Sequence, residues 1–281
     1  MLRFALFLLV FTSLLPAAYS AESPAYYGRD FYTQKLSGSA LRDALFRILD
    51  GAHVKVNNDF DQLSAGCEVK DPRCYRHTAF GYKSARTFLF GEFYLVKENS
   101  VYGVKDVYCD RVVFSNEFRG AKPGPNLIPD ANTMNAEHSW PQSQFTRSFP
   151  DELQKSDIHH LFPTDSTMNS KRSSLEFGNV ATDSEKLECD LSRLGYPKNG
   201  KQLVFEPPTD HKGNVARAIF YFATRYKMKI DSEEEATLRE WHREDPVNSE
   251  EKARNERIFA LQKNRNPYVD FPELVERISD F

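Results

Sequence analysis

The sequence predicts a single α+β domain, with strands in its middle and helices before and after them. Two observations carry this. Between Phe93 and Phe162 the apolar residues fall in short β-branched and aromatic runs, whereas from Asn214 to Gln262 they recur at helical spacing. No internal repeat, low-complexity tract or linker divides the 281 residues. About 260 residues behind a removable leader suit one large domain or two small ones, and the missing linker favours one.

The chain begins with one positive charge at Arg3 and an apolar core from Phe4 to Phe11. A small-residue end follows, Ala17-Ala18-Tyr19-Ser20-Ala21. This is the pattern of a secretory signal peptide cleaved near Ser20. The apolar run is shorter than the ~20 residues a membrane span needs, and Pro16 interrupts its end. No Cys follows the cut, so no lipid anchor is indicated. The expected product, residues 21–281, is secreted or periplasmic and free of the membrane.

Leu41, Leu45 and Ile48 recur at i, i+4, i+7 and predict a helix over 37–48, with Ser39 as N-cap and Gly51 as its end. Residues 53–76 read as loop, and 82–90 as helical or mixed. Strands are expected at 93–97 and 108–114. A Gly-, Pro- and Asn-rich loop from Gly120 to Asn135 then leads to Glu137-His138, which begins or lies on a strand, because Pro141 argues against a helix. Asp157 to Phe162 is a second strand-like run. Thr164 or Asp165 would cap a short helix carrying Asn169 and Arg172. Val215, Ile219, Phe222 and Tyr226 make a core-facing stripe along 214–226. A charged helix over 232–242 has Ser232 as N-cap and Glu233 to Glu235 in its first turn. Asp245-Pro246-Val247 breaks it, and Asn248 or Ser249 starts the next, running to about Gln262.

After the leader the cysteines are Cys67, Cys74, Cys109 and Cys189. An even count in an exported protein favours disulfides. Of the three connectivities, a local Cys67–Cys74 bridge across a polar loop is the first choice, which leaves Cys109 with Cys189. The spacings do not suit a tetrahedral zinc site. The formal net charge of -3 argues mildly against a dedicated nucleic-acid binder, many of which are basic. It suits an enzyme that must release many substrates, and it does not exclude a local basic cleft.

The stretch from Glu137 to Asn179 concentrates chemistry. Glu137 and His138 place a carboxylate beside an imidazole. On a strand they would point to opposite faces, so both reach one site only if the backbone turns there. Trp140-Pro141 would rigidify such a turn. His159-His160 after Asp157 would put one imidazole inward and one outward. An amide oxygen (Asn169), a carboxylate and water form a common hard-metal set. Arg172 would share a helix face with Asn169, and its guanidinium suits a phosphate. Together these groups suggest metal-assisted phosphodiester hydrolysis, with a histidine taking a proton from water. The rival on chemistry is a zinc-dependent ester hydrolase using the three histidines.

Seven segments in one order carry a resemblance. They are Asp106-Val107-Tyr108-Cys109, Glu137-His138-Ser139-Trp140-Pro141-Gln142-Ser143, Asp157-Ile158-His159-His160-Leu161-Phe162-Pro163 and Asn169-Ser170-Lys171-Arg172-Ser173. The others are Phe205-Glu206-Pro207-Pro208, Lys212-Gly213-Asn214-Val215-Ala216-Arg217-Ala218 and Gln262-Lys263-Asn264-Arg265-Asn266-Pro267-Tyr268. In these the sequence resembles the endonuclease I family of exported bacterial nucleases, which use the ββα-metal (His-Me finger) site. The resemblance implies a mixed α/β single domain with a central ββα-metal motif and a helical C-terminal part. It implies sequence-nonspecific cleavage of DNA, often of RNA too, leaving 5′-phosphate ends. By position His138 would be the general base. Glu137 and Asn169 would hold one Mg²⁺, with Mn²⁺ or Ca²⁺ as substitutes. Arg172 would contact phosphate, and Asp157, His159 and Trp140 would support the site. Some members carry a phosphate-touching Arg between the first two site motifs. The basic residues of that interval here are Arg147 and Lys155, and neither is assigned that part. A monomer is expected. The alternative from another class is a catalytically silent nucleic-acid-binding protein on the same fold.

Overall fold

Between Val215 and Ala223 the sequence has almost no polar side, and a helix apolar all round is stable only when other elements enclose it. The computed structural model, which describes residues 25–68 and 71–281, encloses it. The signal peptide expected from the sequence lies outside the described residues.

The elements run as follows. Helices α1 (Arg29–Thr33) and α2 (Gly38–Asp50) precede three short strands, β1 (Ala52–Val54), β2 (Gln62–Ser64) and β3 (Cys74–Arg76). Leu41, Leu45, Ile48 and Leu49 of α2 face the core as expected, but the N-cap is Ser37, not Ser39. The strands replace the loop expected over 53–76 and form a sheet with β1 in the middle. Three-residue strands are too short to show alternation.

Helix α3 (Tyr82–Phe88) continues through a π turn into a meander of β4 (Leu95–Glu98), β5 (Val101–Asp106) and β6 (Arg111–Phe114). Asn99 and Ser100 both have positive φ, the twist a two-residue hairpin turn needs. The strand expected from Tyr108 starts only at Arg111. The Asp106 carboxylate accepts from the Tyr108 and Cys109 amides and holds those residues in a turn.

Strands β7 (Met134–His138) and β8 (Leu161–Asp165) pair antiparallel, with Glu137 opposite Phe162 and His138 opposite Leu161. Between them lies α4 (Asp151–Lys155), and after them α5 (Ser166–Arg172). The carboxylate of Asp165 caps α5 by accepting from the Thr167 and Met168 amides. The result is a ββα unit. Asp157–Phe162 is not one strand. Asp157 accepts from the His159 amide and starts a 3₁₀ turn over Ile158–His160, so the strand begins at Leu161.

A four-stranded sheet, in the order β10 (Thr182–Glu185), β11 (Arg193–Tyr196), β12 (Val204–Glu206) and β9 (Glu176–Phe177), follows α5 in the chain. The helical part follows: α6 (Lys212–Arg225), α7 (Ser232–Glu244), α8 (Ser249–Gln262), α9 (Pro267–Asp270) and α10 (Leu274–Arg277). Asp231, one residue before the expected Ser232, caps α7, and Asn248 caps α8. The disulfides are Cys67–Cys74 and Cys109–Cys189, the first-choice pairing.

Helix α6 buries charge as well as apolar surface. Arg217 pairs with Glu251 at 2.7 Å and Arg225 with Asp50 at 3.0 Å. Asp157 ties α6 and α8 to the turn before β8, because its carboxylate accepts from Tyr221 and Tyr226 hydroxyls and the Gln262 amide at 2.7–2.8 Å. No helix of the described residues is long and apolar enough to cross a membrane.

Burial lowers the pKa of His77 and His160 to about 4 and of His211 to about 3. An unfolded histidine titrates near 6.5. Between that pH and about 4 the unfolded chain binds more protons than the folded one, so stability falls as pH falls through this window. One such histidine is worth ~3 kcal/mol by linkage. The urea midpoint should be flat above pH ~7 and drop steeply towards pH 4. A midpoint independent of pH across this window would contradict these burials.

Candidate active site

Strand β7 places Asn135 and Glu137 on one face by simple alternation, and ends at His138. The chain then bends. Ser139 still donates its amide to the His160 carbonyl at 3.0 Å, and Pro141 starts a single 3₁₀ turn over Gln142–Gln144. Because the strand stops there, both Glu137 and His138 reach one pocket of about 350 Å³, which Gln142, Asn169 and Arg172 also line.

Glu137 is 1% exposed. Its Oε1 accepts from the Tyr108 hydroxyl at 2.9 Å and lies 2.8 Å from Arg172 Nη1. Burial pushes the carboxyl up, and Arg172 and Tyr108 offset that only in part. Arg172, 2% exposed, has both terminal nitrogens engaged, while its buried Nε has no partner among the described residues. Nη1 also donates to the His138 carbonyl at 2.9 Å and Nη2 to the Ser139 carbonyl at 2.6 Å, while the guanidinium lies 4.4 Å from the Phe177 ring centroid. The expected phosphate contact is therefore built into the wall of the site, gripping the end of β7.

His138 Nε2 sits 3.1 Å from the Lys155 carbonyl, and Nδ1 is 3.3 Å from Gln142 Nε2. A carbonyl only accepts, so Nε2 carries the proton and the lone pair is on Nδ1. Burial, with His160 and Lys155 nearby, lowers the pKa to about 3, so the ring is neutral at ordinary pH. Asn169 donates its Nδ2 to Asn135 Oδ1 at 2.6 Å. That fixes the amide and leaves its Oδ1 without a donor among the described residues.

The structure thus brings Glu137, His138, Asn169 and Arg172 together. Asp157 and His159 stay behind the site, where His159 Nε2 faces the Asn264 carbonyl at 3.3 Å. His160 donates to the Gln154 carbonyl at 2.8 Å. Trp140 stacks on Phe222 at 5.2 Å and donates to the Gln144 carbonyl. Among the described residues no three His, Cys, Asp or Glu side chains are grouped to hold a metal. Sequence reasoning missed Tyr108, Asn135, Gln142 and the Lys155 carbonyl. Asn135 was findable, being two residues before Glu137 on the same strand face. Tyr108 comes from a distant turn; it stands in one of the seven matching segments, but nothing in its spacing assigns it to the site.

Residues 73–273 match the Endonuclease I family. The chain belongs to this family. It is 33% identical over 284 aligned positions to an extracellular ribonuclease of Bacillus amyloliquefaciens, covering 92% of this chain and 79% of that protein. It is 32% identical over 188 residues to an extracellular ribonuclease of Bacillus subtilis (strain 168), covering 59% of this chain and 60% of that protein. An extracellular deoxyribonuclease of Aeromonas hydrophila is 27% identical over 115 residues, 41% of this chain and 48% of that protein. The Endonuclease I match contains every residue lining the pocket and begins after α1, α2, β1 and β2.

The clamp geometry predicts a stability effect. Arg172→Ala leaves Glu137 buried without its cation and frees two carbonyls, and should cost ~3–5 kcal/mol in urea unfolding at pH 7. Arg172→Lys, which keeps a charge but cannot reach all three acceptors, should fall between. Unchanged stability in Arg172→Ala would show that the guanidinium is not a clamp.

Proposed function

We propose that the chain is an exported, sequence-nonspecific endonuclease that hydrolyses phosphodiester bonds of DNA and RNA, with His138 as general base and one Mg²⁺, leaving 5′-phosphate ends. The observation that carries this reading is the state the fold imposes on His138. It is a neutral imidazole, its proton pinned on Nε2, with its one lone pair turned into a pocket that also holds a carboxylate and an amide oxygen. A general base needs such a lone pair within hydrogen-bond reach of the attacking water.

The residues present fit a hard divalent cation. The Glu137 carboxylate and Asn169 Oδ1 are hard oxygen donors, and Asn135 holds the amide with its oxygen available. Mn²⁺ or Ca²⁺ would fit the same donors. A bound cation would supply neutralisation of phosphate charge and stabilisation of the leaving 3′ oxygen. The chain's own part is positional. His138 Nδ1 takes one proton of the water as its oxygen bonds to phosphorus, and the bond from phosphorus to the 3′ oxygen breaks. Arg172 holds the His138 and Ser139 carbonyls and so fixes where the imidazole points. Asp157, His159 and Trp140 brace the elements behind it. The site is complete within one chain, in keeping with a monomer. The leader and the extracellular relatives support export to the periplasm or medium, and their names, ribonuclease and deoxyribonuclease, support both substrates.

The test is cleavage of supercoiled plasmid and of RNA by the mature protein, with Mg²⁺ and with EDTA. Cleavage with Mg²⁺, abolished by EDTA, is expected. Loss of the base in His138→Ala should lower the rate 10²–10⁴-fold, an order-of-magnitude range for a general base. DNA shifted in a gel but not cut under any divalent metal would favour a silent binding protein. Activity restored by Zn²⁺ alone would favour the zinc hydrolase.

A further inference from the structure

Gln142 lines the pocket with its amide against the proposed base, a position that the reading above leaves unexplained. We infer that it is a positioning residue. Its amide caps the lone pair of the base in the resting site, then gives way to the attacking water and orients it. This rests on the proposed role of His138.

The geometry requires an amide nitrogen, not an oxygen, against the ring. The Lys155 carbonyl fixes the proton on Nε2, so Nδ1 accepts, and Gln142 must present its N–H there. Tyr82, Phe145 and His160 pack around the ring at centroid distances of 5.6, 6.1 and 5.2 Å. The open side is the pocket, and Gln142 is on that side.

A water that gives a proton to Nδ1 must sit about 2.6–3.2 Å from it. Gln142 Nε2 lies 3.3 Å from it, so the two cannot both be in place. The amide is free to leave. Gln142 is exposed, and among the described residues its side chain has no other protein partner. Its backbone cannot leave. The Gln144 amide donates to the Pro141 carbonyl at 2.9 Å and the Phe145 amide to the Gln142 carbonyl at 3.2 Å. After a rotation about its side-chain bonds the amide therefore remains next to the position it vacated. There its Oε1 accepts a hydrogen bond from the O–H that the water keeps, while the other proton goes to Nδ1. That leaves an oxygen lone pair for phosphorus. No proton or electron passes to Gln142.

Two measurements test this on the mature protein. The first is acylation of His138 by diethylpyrocarbonate in EDTA, read by mass spectrometry. Removing the cap in Gln142→Ala should speed labelling of His138 several-fold over wild type. The second is steady-state cleavage with Mg²⁺. Loss of water orientation should lower kcat on the order of tenfold in both Gln142→Ala and Gln142→Met, with KM little changed. Met keeps the side-chain bulk, so a loss shared by both variants is not a loss of packing. Equal labelling of wild type and Gln142→Ala, or an undiminished kcat in both variants, overturns the inference. A wild type that cleaves nothing fails the nuclease reading instead, and the labelling comparison then judges the cap by itself.

Discussion

The arrangement around the pocket depends on the guanidinium of Arg172. It reaches from α5 back to the last turn of backbone in β7 and holds three acceptors there: the His138 and Ser139 carbonyls and the Glu137 carboxylate. A regular strand would send Glu137 and His138 to opposite faces. Holding the two carbonyls after the strand ends is what lets both side chains serve one pocket. The same group makes it possible to bury Glu137 at all, since an unpaired carboxylate at that depth would be strongly destabilising. Its stack on Phe177 extends the constraint from the ββα unit to the neighbouring sheet.

The histidines show how a reactive group is made from a structural habit. All seven are buried, and burial lowers the pKa of each. His53, His138, His159, His160 and His242 each turn Nε2 towards a backbone carbonyl. In most of these places the device only satisfies a carbonyl with a neutral donor. His138 differs in where its other nitrogen points: to the pocket that Glu137 and Asn169 also line. The fold thus supplies a neutral, tautomer-fixed imidazole by the means it uses throughout its core, and location alone separates a candidate base from a core residue.

Much of this was legible in the sequence, and the failures have physical causes. The helices from Asn214 to Gln262 announce themselves through spacing and caps, with Asp231 displacing Ser232 by a single residue. The strands at Ala52, Gln62 and Cys74 are three residues long and carry no period. The run from Asp157 to Phe162 looks like a strand because Ile158, Leu161 and Phe162 are apolar. The Asp157 side chain bonds the His159 amide and diverts the backbone into a turn, a local competition that composition hides. In the site, Glu137, His138, Asn169 and Arg172 were legible as a cluster because they lie within three dozen residues. Tyr108 was not, because its contact with Glu137 is made only when the turn before β6 is brought beside β7. Arg172 is expected from its motif to contact phosphate, and the sequence shows its charge without showing how deeply it is buried.

Rigidity is distributed unevenly around the pocket, and the division follows burial. Glu137, His138 and Arg172 are fixed from behind by Tyr108, the Lys155 carbonyl and the end of β7, all within the core. Asn169 is half-buried and held at its nitrogen, so its oxygen keeps a defined direction while remaining accessible. Gln142 is exposed, on a backbone turn that hydrogen bonds hold in place. A hydrolytic site must satisfy its polar groups when no substrate is bound and yet give them up when one arrives. Buried partners cannot do this, because their release would leave an unsatisfied group in a low-dielectric interior. A long, solvent-backed side chain can, because water replaces whatever bond it surrenders. The cap on His138 therefore falls at a position of the pocket where letting go costs little.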